Sequence, residues 1–187
     1  VPPRRTPGDA QTLRWGIVAT VRGPLRHIAR FAAHHLETGA HRIDLYLDDP
    51  LPGQAAFLRQ DSRIKVITCD ADWWGAQKRP RMAEHQLRQL HNATLSYRAS
   101  DLDWLAHIDV DEFIISDNAL SNTLHAADPD LAAVRLTPAE ALAPSKGGPV
   151  RHFKLADEAV GHASAVLQDI YPDFGLHLRG GFLSHTA

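Results

Sequence analysis

The sequence predicts a layered α/β domain with a mainly parallel central sheet flanked by helices, and three observations predict it. Short runs of strand-forming residues alternate with segments of helical spacing. The runs at 15–21 and 104–108 are mostly apolar, as in strands covered on both faces by helices. Acidic residues follow two strands directly, as Asp48-Asp49 and as Asp109 through Glu112. In such folds ligands sit beyond the carboxyl ends of the strands.

The elements follow in order. After a proline-rich lead over 1–13 (Pro2, Pro3, Pro7), Trp15 to Val21 reads as a buried first strand broken by Gly23-Pro24. Pro24 suits a first helical turn, where its fixed φ fits and its missing N–H would have no partner anyway. Leu25, Ile28, Ala29, Ala32 and Leu36 then recur at helical spacing up to a stop at Gly39. Residues 43–47 supply a second strand, ending in the loop Asp48-Asp49-Pro50. A third covers 63–69, with Cys69 as a small strand residue. The longest helical pattern lies between Pro80 and Ser100, where Ala83, Leu87, Leu90, Thr94 and Tyr97 make one stripe. Residues 104–108 read as a central strand and 131–136 as a further one. Beyond 143 the pattern weakens to a loop over 144–149 and a helix candidate over 155–170.

A chain of 187 residues predicts one domain with a sizeable core. Its net charge of −2 gives no electrostatic footprint for nucleic acid or an anionic membrane. Cys69, the single cysteine, excludes an intrachain disulfide and a thiolate zinc cluster, and suits a reducing compartment. No stretch is long and apolar enough to span a bilayer or form a signal-peptide core, so a soluble, cytoplasmic protein is expected. The chain opens on Val1 and stops at Ala187, which reads as a fragment or a trimmed chain.

Asp109 and Asp111 are two residues apart, so on an extended backbone both carboxylates point to one side. Such a pair suits Mg²⁺ or Mn²⁺, which keep sites for water and substrate phosphates. A bare Asp-x-Asp is common and can simply be a solvated loop. Here an apolar strand leads into three carboxylates and Phe113-Ile114-Ile115 follows, so the charges lie between core segments and a cation accounts for them.

These residues resemble the glycosyltransferase family 2-like group, specifically members with an Asp-x-Asp-Glu-Phe signature. The likeness is carried by His34-His35-Leu36-Glu37-Thr38-Gly39, by Leu45-Tyr46-Leu47-Asp48-Asp49, and by a glutamine-bearing helix matched at His85-Gln86 through Asn92 and Tyr97-Arg98. The closest correspondence runs from Asp103 through Phe113, and coverage is about 14–115. The resemblance implies a Rossmann-like, glycosyltransferase A-type fold, with a nucleotide-sugar-binding half at 14–115 and an acceptor half at 116–187, truncated at its C-terminus if the chain is a fragment. It implies a nucleoside-diphosphate sugar donor, inversion, and a glycan, lipid-linked or small-molecule acceptor. Thr20 and Asp48 or Asp49 would lie near the base and ribose, Asp109 and Asp111 at the metal. His185 resembles the late histidine that completes the metal sphere in A-type enzymes, or it is a solvated tail residue. This chain has Arg22-Gly23-Pro24 where relatives carry Arg-Asn-Glu, and it ends where relatives continue with Gly-Lys.

Further candidates come from residue chemistry. Thr20 and Arg22 share the expected rim with the acidic residues. Lys78, Arg79 and Arg81 form a basic cluster at the expected start of the long helix, either an anion site or a solvated face. Trp73-Trp74 stack on a sugar or base, or form a packed lid or satellite core. His34 and His35 are adjacent on a helix, so at most one can point to a given site, and packing or hydrogen bonding suits them better than a metal. Transfer with inversion needs a base for the acceptor hydroxyl; Glu140 is the first choice, with Asp157 and Glu158 behind it. Two rival readings remain. An aspartyl phosphohydrolase also uses Asp-x-Asp, but on its first strand. A non-catalytic or incomplete nucleotide-sugar-binding domain keeps the fold without acceptor machinery.

Overall fold

The computed structural model describes residues 13–77, 80–128, 131–142, 148–155 and 182–185. The chain forms two compact units, one of residues 1–134 with 182–187 and one of residues 135–181, where length had predicted one domain.

In the first unit β1 (Trp15–Val21), β2 (Arg42–Leu47), β3 (Ile64–Thr68) and β4 (Trp104–His107) are parallel, in the order β3-β2-β1-β4. Helices join them: α1 (Leu25–Glu37), α2 (Gln54–Leu58), α3 (Ala71–Ala76) and α4 (His85–Ala99). This is an α/β architecture consistent with a Rossmann-like fold. α5 (Leu120–His125) and β5 (Ala133–Arg135) follow, and the late strand β8 (Phe182–His185) pairs antiparallel with β4. The second unit contributes β6 (Ala139–Ala141) and β7 (Phe153–Leu155), an antiparallel pair.

The core centres on β1 and β2, where Ile17, Ala19, Ile43 and Leu45 are fully buried. α1 covers one face with Ile28, Phe31, Ala32, His35 and Leu36; of the expected stripe Ile28, Ala32 and Leu36 are buried, Leu25 and Ala29 only partly so. α4 departs from expectation. It starts at His85, and its buried residues are Arg88, Asn92 and Ser96, while Leu87, Leu90 and Tyr97 of the predicted stripe face outward. The reason is pairing: the polar face meets polar groups on the sheet. Ser96 Oγ donates to Asp44 Oδ2 at 2.8 Å and lies 3.1 Å from the Tyr46 hydroxyl.

Two further helices are short. α3 is capped by Asp70, whose carboxylate accepts from the Trp73 N–H at 2.9 Å. α2 is braced by Gln54, which accepts from the Leu51 N–H and donates to the Gly23 carbonyl. The helix expected over 155–170 lies outside the described residues, as do Asp157 and Glu158, and the strand expected over 131–136 shortens to β5. Among the described residues no helix is long and apolar enough to cross a membrane.

Candidate functional site

Strand order fixes where a site can form. The chain steps from β1 outward through β2 and β3, then crosses back to lay β4 on the other side of β1. Between β1 and β4 the direction of winding reverses, and the crevice beyond their carboxyl ends is where such sheets bind ligands. Thr20 and Val21 end one strand there, and Asp109 follows the other.

α4 runs across this edge and ties three strand ends together. Arg88 donates to Asp48 after β2, with Nε to Oδ2 at 2.9 Å. Asn92 Nδ2 donates to Thr20 Oγ1 on β1 at 2.9 Å. Gln89 Nε2 donates to Asp109 Oδ1 after β4. These partners were missed by the apolar stripe reading. The signal that could have found them is Arg88, Asn92 and Ser96 four residues apart, a polar row on one helical face.

The acidic residues form a closed turn, not the extended backbone on which two-residue spacing would set both carboxylates to one side. The Glu112 N–H donates to the Asp109 carbonyl at 3.0 Å, and Glu112 Oε2 accepts from the Asp109 N–H at 2.8 Å. Burial first, then the charges of Asp109 and Asp111, push the Glu112 carboxyl up, against the pull of the Asp109 N–H. Asp109 and Asp111 are exposed. Two exposed carboxylates in an anionic turn are hard-oxygen donors of the kind a divalent cation takes. Among the described residues no three His, Cys, Asp or Glu side chains converge as a metal cluster.

The other predicted residues divide. Asp48 is on the rim but only 4% exposed, and it takes Arg88 on one oxygen and Arg81 on the other, the latter at 2.7 Å. Of these partners Arg88 is buried, whereas Arg81 is partly exposed. Asp49 sits in the left-handed region at φ 67°, which Asp tolerates, and pairs with Arg22 at 3.0 Å on the surface. With both partners about two-thirds exposed, that pair contributes little stability. Lys78 and Arg79 lie outside the described residues.

His185 requires correction as a metal ligand. In the antiparallel register its backbone pairs with Trp104, the first residue of β4, whereas Asp109 lies beyond the strand's last. Five residues of extended chain span roughly 16 Å, so His185 belongs to the opposite edge of the sheet from the acidic turn. Glu140 is an exposed residue of β6, in the second unit.

Trp73 and Trp74 form a satellite core: their rings meet edge to face at 4.5 Å, Trp73 packs on Tyr46, and Trp74 stacks on His91. Cys69, buried just past β3, has its thiol pushed up to about 12 by burial and then by the charge of Asp48, so it stays protonated and unreactive. A cavity of about 210 Å³ lined by Trp15, Thr38, Ile114 and Leu120, and a groove of about 460 Å³ between α1 and α2, include no residue of the acidic turn.

No family model and no curated protein matches the chain.

Proposed function

We propose that this chain is a glycosyltransferase domain of the A-type fold that moves a sugar from a nucleoside-diphosphate donor to a hydroxyl acceptor, with inversion, using Mn²⁺ or Mg²⁺. The observation that carries the reading is the position of the acidic turn, immediately beyond β4 at the reversal of strand order and tethered through α4 to the ends of β1 and β2. Asp109 and Asp111 would hold the cation, which when bound stabilises the charge gathering on the leaving diphosphate as a Lewis acid. Arg81, aimed by Asp48, offers a guanidinium to the same diphosphate. Thr20, Arg22 and Asp49 are the rim residues for base and ribose. Glu140 remains the candidate base, and a glycan, lipid-linked or small-molecule acceptor goes with it.

Isothermal calorimetry with nucleoside diphosphates and nucleotide sugars, with and without Mn²⁺, tests this directly. Binding should require Mn²⁺, and Asp109→Ala and Asp111→Ala should each weaken it by about tenfold or more. Nucleotide affinity indifferent to Mn²⁺ and to both substitutions would sink the metal role. Phosphate release from an aryl phosphate, with no nucleotide-sugar hydrolysis, would favour the phosphohydrolase instead.

A further inference from the structure

We propose that His34 and His35 are positioning residues, a two-histidine clamp that grips Ile114 from both sides and holds the exit of the acidic turn in the shape that presents Asp109 and Asp111. The clamp rests on the reading of those two carboxylates as cation ligands.

The turn has two ends. Its entry is fixed by β4, hydrogen-bonded into the sheet, but its exit runs through Phe113 and Ile114 into residues without regular structure. Three neighbouring carboxylates repel one another, so a turn free at its exit would open. Both histidines act at that point. His34 Nε2 lies 2.9 Å from the Ile114 carbonyl, and the Ile114 N–H donates to His35 Nε2 at 3.1 Å. Adjacent helical side chains point about 100° apart, yet both reach Ile114. They do so because the N–H and C=O of a single residue diverge.

This geometry demands opposite tautomers. His35 Nδ1 donates to the Phe31 carbonyl at 2.9 Å, which leaves Nε2 bare to accept from Ile114. His34 must carry its proton on Nε2 to donate to the Ile114 carbonyl. Phe113 adds packing: its ring stacks on His35 at 5.9 Å, lies edge-on to His34 at 5.1 Å, and carries the Arg30 guanidinium 5.3 Å from its centre. His35 is fully buried, so its position is set by the core and not by solvent.

Four substitutions separate positioning from packing. His34→Leu and His35→Leu remove the hydrogen bonds; His34→Gln and His35→Gln keep a donor or an acceptor near the same place. In the whole chain, both leucine variants should speed exchange of the Glu112 amide by more than about tenfold and weaken Mn²⁺ binding, titrated alone by electron paramagnetic resonance, by about tenfold. The glutamine variants should retain both properties within about threefold. Nitrogen-15 spectra of the unsubstituted protein should find the proton on Nδ1 in His35 and on Nε2 in His34. Leucine variants with unchanged Glu112 exchange, glutamine variants as impaired as leucine, or a proton on His35 Nε2 would each overturn the clamp. Should His35→Leu fail to fold, the half-buried His34 pair and the tautomer spectra decide alone. If the unsubstituted chain and Asp109→Ala bind Mn²⁺ equally poorly, the cation reading fails, while exchange and tautomers still judge the clamp.

Discussion

His35 lies at the centre of the residue-scale chemistry, because its ring can serve Ile114 only while neutral. Burial lowers its pKa from 6.5 to about 4, with the neighbouring His34 adding to the fall and the Phe31 carbonyl opposing it. The sign of the linkage follows. Below about 6.5 the unfolded chain takes up a proton at this position, while the folded chain does not until about 4. Stability from this group is therefore complete at neutral pH and is lost progressively as pH falls through that window. Thermal unfolding from pH 7 to pH 4 should give a steeper loss for the unsubstituted protein than for His35→Gln, and parallel curves would refute it. At this scale Asp109 and Asp111 were marked out as candidates by their apolar surroundings, since Asp-x-Asp spacing alone equally describes a solvated loop. Their supports were not: that Gln89 reaches Asp109, or that His34 and His35 reach Ile114, depends on which elements lie side by side.

α4 makes the same point at the scale of an element. Periodicity located the helix correctly but assigned its inward face to the apolar residues, because burial of apolar area usually decides such a choice. Here the sheet offers Asp48, Thr20 and Asp44 under the helix, and unpaired buried polar groups cost more than exposing two leucines. The two faces should respond in opposite ways to substitution. Leu90, 62% exposed, should tolerate Leu90→Gln within about 0.5 kcal/mol. Arg88→Met leaves Asp48 short of its buried partner and should cost roughly 3–5 kcal/mol. Urea unfolding of both variants measures this, and a larger loss for Leu90→Gln would reverse the orientation.

Across the whole molecule, the parallel α/β plan could be read because each strand announced itself locally, as an apolar run with a turn behind it. The order β3-β2-β1-β4 could not, nor could the late strand beside β4, since pairing partners distant in sequence leave no local mark. That late pairing overturned the expectation for His185. Close strand packing is itself testable at Gly16. A Cβ there would come within 2.5 Å of both the Arg42 carbonyl oxygen and the Leu102 side chain, so Gly16→Ala forces β1 away from β2. A loss of about 1–3 kcal/mol, typical of overpacking, is expected in the same unfolding assay, and an unchanged midpoint would show that the sheet yields freely.

The pairing of β8 with β4 also carries a consequence for biosynthesis. β4 is complete at His107, but the strand that covers its flank begins at Phe182, with the second unit emerging in between. At ~5–20 residues per second, a ribosome needs roughly 4–15 s to cross that interval. For that time the nascent sheet carries an unprotected edge of backbone donors and acceptors, open to strand addition by a neighbouring chain on the same polysome.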